Sequence, residues 1–279
     1  MVTPMTLTLV GEHLPREKRT NAFGWLIAGN SISYLIGAPL IAYIAGVGEW
    51  RTVFLLYVVP VTMIGLGFLY FGVPVREKIV VSDIDYIGSF KAVLTSRSAL
   101  ACLLSSAFIM ASYQAILVYS ASFYRQQFLL SRSFTSLFVI GGALFFTVGS
   151  ITSGRLVKRY GRKGVSVVTG IIAGLFIGAY TNLPSLWMSA SSRFLGGLFT
   201  AFAFSAIGSL TLEQVPEFRG TLMSIRSASN SVGSALGSFL GGLALLMYGY
   251  ELVGIFLGAT SILASIIIYF LAQDPTDQI

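Results

Sequence analysis

The stretch SALACLLSSAFIMASYQAILVYSASF, Ser98 to Phe123, runs for about seven helical turns without a charged side chain. A bilayer hydrocarbon core about 30 Å thick is crossed by about 20 apolar residues in a helix, so this segment is long enough to span it. Working outward, seven more such runs are bounded by charge or by turn residues: Ala22–Gly46, Thr52–Val73, Ser133–Gly154, Gly164–Asn182, Leu186–Thr211, Thr221–Tyr248 and Leu252–Ala272. Composition agrees, with 55% of the 279 residues hydrophobic and 10% charged. A water-soluble domain carries about 25% charged residues. The 30 glycines would weaken helices in water, but in lipid small residues let neighbouring helices approach closely.

The net charge of +7 invites thought of nucleic acid, yet the basic residues are spread over short loops instead of gathering on one soluble face. If the loop Pro15–Arg19 faces the cytoplasm, so do Arg16, Lys18, Arg19, Arg76, Lys78, Lys91, Arg97, Arg155, Lys158, Arg159, Arg162, Lys163 and Arg219. Only Arg51, Arg125 and Arg132 then lie outside, and the positive-inside rule selects this topology over its inverse. Both termini are expected in the cytoplasm, and the membrane is expected to be the plasma membrane. The one cysteine, Cys102, sits in an apolar run, and the one histidine, His13, is in a loop. Neither a disulfide framework nor a metal centre or cofactor site is expected, and an enzyme would need more clustered chemistry than this.

Part of the chain recurs. Glu12, Pro15, Arg19, Asn30-Ser31 and Gly37 return as Glu213, Pro216, Arg219, Asn230-Ser231 and Gly237, at offsets of 201 and then 200. Six spans lie within that displacement, which points to two parallel six-helix halves, a construction used by transporters. Glu213 follows a whole helix, whereas only Met1–Gly11 precede Glu12, too few to cross a bilayer. Met1 is therefore expected near the cytoplasmic end of a fourth helix.

Three motifs then resemble the major facilitator superfamily, twelve-helix carriers with two six-helix halves. Gly154-Arg155-Leu156-Val157-Lys158-Arg159-Tyr160-Gly161-Arg162-Lys163 is similar to the family's G-x-x-x-D-R-x-G-R-R loop, with Lys158 in place of the family's Asp. The resemblance implies a latch that holds one access state, and the substitution at 158 departs from it; a plain basic loop is the alternative. Gly29, Gly37, Ala38 and Pro39 resemble the Gly-Pro motif of helix five in the drug:proton antiporter branch, or a mere packing kink. Trp50-Arg51-Thr52-Val53-Phe54 is similar to the W-R-x-x-F that opens helix six, and Arg193-Phe194-Leu195-Gly196-Gly197 to the R-x-x-x-G of helix four, repeated in helix ten.

The fold class expected is an all-α membrane protein: eight transmembrane helices plus a partial N-terminal one, resembling the major facilitator fold without its first three to four helices. Residues 1–74 would be the rest of the N-terminal half, 75–97 a cytoplasmic central loop, 98–272 the C-terminal half and 273–279 a tail. The resemblance implies secondary transport of a small organic solute, efflux being one direction, by alternating access; a transport-incompetent remnant or accessory protein is the alternative. Candidate cavity residues are Tyr113, Gln114 and Tyr119 on the third span, Arg193 two turns into its own, and Asn230, the repeat partner of Asn30. Arg193 faces either the transport path or the outer surface by snorkelling, and Arg226 is expected to reach the inner interface. The partners implied are the lipid bilayer and the solute, with protons if coupling is by antiport, and no nucleic acid; the oligomeric state is left open. All eleven acidic residues fall in loops, helix ends or the tail, so coupling by an intramembrane carboxylate has no candidate in this chain.

The topology is tested by single cysteines in a Cys102→Ala background. Arg16→Cys and Lys158→Cys are expected to react with an impermeant maleimide from the same face and Arg132→Cys from the other. Labelling of 16 and 158 from opposite faces would overturn it.

Overall fold

The computed structural model describes residues 10, 14–47, 50–72 and 86–275, and every regular element among them is helical. In chain order they are α1 (Arg16–Val47), α2 (Trp50–Val53), a π turn (Phe54–Val58), α3 (Val59–Gly72), α4 (Tyr86–Thr95), α5 (Arg97–Gln127), α6 (Arg132–Tyr160), α7 (Arg162–Tyr180), α8 (Leu186–Leu212), a 3₁₀ turn (Pro216–Phe218) and α9 (Arg219–Leu271). Six stretches among the described residues are long and apolar enough to cross a membrane: Arg51–Gly72, Arg97–Gln127, Phe134–Tyr160, Arg162–Tyr180, Leu186–Leu212 and Pro216–Leu271. The last covers both of the spans expected there. Its helix is broken at Gly249, whose φ of 75° and ψ of −168° are not helical. Only a residue without a Cβ takes this conformation cheaply, so the chain reverses between Tyr248 and Leu252, where the sequence places a boundary. The expected first span, Ala22–Gly46, is helical throughout, within α1.

Several helices outrun the apolar runs that betrayed them. α1 begins at Arg16 instead of Ala22, and α6 continues through the basic segment to Tyr160 instead of stopping at Gly154. Charge ends contact with hydrocarbon but does not end a helix, which stops where the backbone is capped or turned. Ser96 and Ser131 cap α5 and α6, each accepting a backbone N–H bond at 3.3 Å, from Ala99 and Phe134. Gly161, at φ 76°, donates its N–H to Val157 O at 2.9 Å and passes the chain from α6 to α7. Within the segment read as a central loop, Tyr86–Thr95 forms a short helix, while residues 73–85 lie outside the described residues.

Two compact units divide the chain, Met1–Ser31 with Ile87–Ile279, and Ile32–Tyr86. The first half of α1 thus packs with the helices from α4 onward. In this larger unit α8 is the most enclosed helix, flanked by α6 and α7, and α5 runs along α9. Small residues set these approaches. Gly233 and Gly237 of α9 lie on the α5 backbone, where a Cβ would come 2.9 Å from the Cα of Ala107 and 2.7 Å from the Cα of Ala111. Hydroxyls bridge helices as well: Ser105 donates to Ala264 O at 2.9 Å, Ser261 to Gly170 O at 2.8 Å and Ser192 to Phe176 O at 2.8 Å. In the smaller unit the Tyr57 hydroxyl packs on Gly37, 2.6 Å from where a Cβ would stand. α1 runs without a break through Pro39.

The α7–α9 crossing gives a direct test, because a Cβ at Gly258 would lie 2.8 Å from the Gly178 amide nitrogen, whereas Gly164 faces open space. Gly258→Ala is expected to cost about 1–3 kcal/mol by overpacking, and Gly164→Ala to be neutral or to stabilise by about 0.5–1 kcal/mol. Thermal unfolding in detergent micelles measures both, and equal Tm values for the two variants would refute the crossing.

Candidate functional site

The most concentrated electrostatics lie where α8 ends. Glu213, the residue that caps α8, is 2% exposed and pairs with three arginines. Arg19 of α1 donates Nη1–H to Glu213 Oε1 and its Nε–H to Leu14 O at 2.9 Å. Arg162, the first residue of α7, and Arg219, the first of α9, each lie 3.8 Å from a Glu213 oxygen. One carboxylate therefore ties the ends of four helices. A carboxylate taken out of water is tolerated only with such compensation, and three nearby helix N-termini add favourable partial charge. Beside it, Ser98 hydrogen-bonds to Gln214, and the Gln214 amide donates to Gln273 O at 3.0 Å, joining the start of α5 to the end of α9.

The basic segment read as a latch thus has a carboxylate partner within the larger unit. Arg162 is buried against Glu213; Arg155 and Lys158 are exposed, Arg159 sits over the Tyr160 ring at 5.3 Å, and Lys163 lies 6.0 Å from the Tyr269 ring. Gly154 meets α1, where a Cβ would come 2.9 Å from the Cα of Asn21, so the small residue permits the close crossing expected of it. Asn21, Trp25, Ile151, Thr152, Gly154, Arg155 and Lys158 line a cleft of about 430 Å³. Glu213 entered the sequence reading only as a repeat marker. Its signal was there: Arg19 and Glu213, drawn from the two copies of the repeat, pair with each other.

The cavity candidates separate. Tyr113 stacks on Phe146 with ring centroids 4.3 Å apart, next to Ile27 and Ala201. Gln114, one residue on, is half-buried. Tyr119 donates its hydroxyl to Ser238 O and lies on Gly241, which makes it a tie between α5 and α9. The buried Oδ1 of Asn230 has no hydrogen-bond partner in the protein. Gly29 is exposed with open space beside it, and the Pro39 side chain lies outside the described residues. Arg193 does not snorkel to a surface: it is 3% exposed and donates Nη1–H to Phe138 O at 2.9 Å.

Arg226 also departs from the reading that sent it to the inner interface. It is 2% exposed, donates Nε–H to Ser106 Oγ at 3.1 Å, and places its guanidinium 4.9 Å from the Phe204 ring centre. Its first turns on α9 are covered by α5 and α8, so the cation is drawn inward and compensated by an aromatic face and a hydroxyl. Among the described residues, no group of three or more His, Cys, Asp or Glu could hold a metal ion.

Comparison with known proteins identifies the architecture. The family model described as Major Facilitator Superfamily matches residues 1–145 and 102–278. The chain belongs to the major facilitator superfamily. The superfamily consists of membrane transporters and not of enzymes, so the multi-pass helical architecture follows from the family as well as from the apolar helices. A probable sugar efflux transporter of Helicobacter pylori is 26% identical over 264 residues, 93% of this chain and 66% of the relative. The multi-drug resistance efflux pump PmrA of Streptococcus pneumoniae is 29% identical over 141 residues, 50% of this chain and 34% of the pump. Among solved structures, a bacterial homologue of the iron transporter ferroportin in an outward-facing state superposes with a TM-score of 0.72 at 18% identity, covering 94% of this chain and 66% of that one. The chain thus spans about two thirds of the length of the relatives it matches.

The hub around Glu213 generates a prediction. Glu213→Gln leaves buried arginines without their common counter-charge and is expected to cost about 3–5 kcal/mol, whereas Arg159→Gln, outside the hub, is expected to change Tm little. Thermal unfolding of the purified variants decides; an unchanged Tm for Glu213→Gln would remove the hub from the stability of the bundle.

Proposed function

We propose that this chain acts in secondary transport of a small organic solute across the plasma membrane, in the direction of efflux, with its termini in the cytoplasm. The observation that carries the reading is the Glu213 hub. Four helix ends held by one buried carboxylate form a bond that is either made or broken as a unit, which is what a latch between access states requires. Arg162, from the motif loop, and Arg19, from the first copy of the repeat, are the mobile partners in this reading; Lys158, standing where the family carries Asp, stays outside it. The sugar efflux and multi-drug efflux proteins among the relatives support the direction and the solute class.

Solute contact is proposed for Tyr113 and Gln114 of α5 with Asn230 of α9. Aromatic faces with adjacent amides bind amphipathic solutes and orient them, and the buried Asn230 Oδ1 has no acceptor duty elsewhere in the protein. The carboxylates among the described residues, Glu17, Glu213, Glu217, Glu251 and Asp274, lie at helix ends or beyond, so proton antiport through this chain is left as a matter for the flux assay.

Reconstituted into proteoliposomes, the chain is expected to drive saturable counterflow of a radiolabelled mono- or disaccharide or of a lipophilic drug. Gln114→Ala and Asn230→Ala are each expected to lower flux by about tenfold without changing Tm, the loss of one ligand hydrogen bond. No counterflow with any member of either class, from a protein that stays folded in the vesicles, would sink the proposal.

A further inference from the structure

At the opposite end of α8 from Glu213, about 30 Å away by helix rise, lies a second buried charge that the latch does not use. Arg193 has one hydrogen bond, from Nη1 to Phe138 O, and its Nε–H is buried without an acceptor in the protein. The guanidinium lies flat on α6 at Gly142, where a Cβ would come 2.9 Å from Cζ, so the glycine forms the floor of a cradle built for it. Two phenols share its surroundings, Tyr124 of α5 and Tyr180 of α7, and both are 0% exposed. Both hydroxyls are buried and neither makes a hydrogen bond of good geometry, Ser189 being the one polar side chain that stands against Tyr124. Ser189, beside Tyr124, already donates its hydroxyl to Tyr180 O at 2.7 Å. Aromatic rings close the rest: Phe138 lies 5.3 Å from Tyr124, and Phe123 5.5 Å from Tyr180.

These three groups are all donors, and they bring one positive charge. Among the described residues no carboxylate pairs with Arg193, and Glu251, at the same end of the bundle, is exposed and forms no ion pair with it. A cation buried in a lipid-embedded bundle with no counter-charge is costly, and each buried hydroxyl without a hydrogen bond of good geometry adds to the cost. The ligand that relieves all three is an acceptor with a single negative charge and little bulk. We propose that Arg193, Tyr124 and Tyr180 form a binding site for a compact monovalent anion, a free halide or a carboxylate as small as acetate, beside Gly142, and that a bulky polyhydroxy carboxylate is too large for it. A divalent anion would overcompensate the one guanidinium, and a neutral solute would leave its charge unpaired. The site is separate from the transport reading, since it needs only the folded bundle, and failure of the counterflow assay leaves it standing.

The test uses the purified chain in detergent micelles, with thermal unfolding followed in sodium chloride, in sodium acetate and in bulky sodium gluconate at constant ionic strength. Chloride or acetate is expected to raise Tm saturably over gluconate by about 2–5 °C. Response to both assigns the site to free inorganic anions as well as carboxylates; response to acetate alone assigns it to a carboxylate. Arg193→Gln is expected to abolish the rise. Should that variant fail to fold, Tyr124→Phe and Tyr180→Phe carry the test alone. If the hydroxyls serve only structure, their removal is neutral or stabilising and leaves half-saturation where it was. If they hold the anion, the half-saturating concentration rises about tenfold in each, with Tm in gluconate unchanged or higher. A Tm indifferent to the anion, or half-saturation unchanged in the variants, would overturn the proposal.

Discussion

Hydrocarbon offers a peptide group nothing to bond with, and the architecture of this chain follows from that constraint. Each backbone N–H and C=O in a span has to find its partner inside its own helix, which is why regular structure among the described residues is helical throughout. The same rule governs the side chains. Thr147, Thr169 and Thr200 each donate to the carbonyl four residues back, at 2.8, 2.6 and 2.7 Å, so that hydroxyls rare in lipid become internal to the helix that carries them. Where a hydroxyl reaches instead to a neighbour, as Ser105 and Ser261 do, it becomes a tie between helices.

With no hydrophobic force to press helices together in lipid, close packing has to supply the cohesion. Glycine and alanine do this by absence. Gly233 and Gly237 admit the α5 backbone, Gly154 admits α1, and Gly142 admits a guanidinium. Large aromatics fill what remains at one end of the bundle, where Phe123, Tyr124, Phe138 and Tyr180 form one buried cluster. The bundle is therefore tight along its small-residue seams and bulky between them.

Charge sets the few places where this apolar logic is suspended. Glu213 collects arginines from helices far apart in sequence, and its burial makes the cluster cooperative, since losing one partner weakens the case for burying the others. Arg226 is held by a ring and a hydroxyl, and Arg193 by a single carbonyl. The three arrangements form a series of decreasing compensation, and the least compensated charge is the one that calls for a ligand.

Much was legible in the residues alone. Uninterrupted apolar runs such as Ser98–Phe123 have no soluble solution, and their length matches a bilayer, so class and approximate spans follow from solvent physics. The repeat and the motif loop brought the family into view for the same reason, as local strings with local meaning. The helix ends were less legible, because Arg16–Arg19 and Arg155–Tyr160 remain helical after leaving hydrocarbon, and polarity reports solvent and not backbone geometry. Which charges are buried could not be read at all. Glu213, Arg193 and Arg226 look in sequence like a loop acid, a cation two turns into its span and a cation within reach of the inner interface, yet all three are enclosed by helices distant in the chain. Burial is a property of what packs around a residue, and long-range packing is what only the tertiary structure decides.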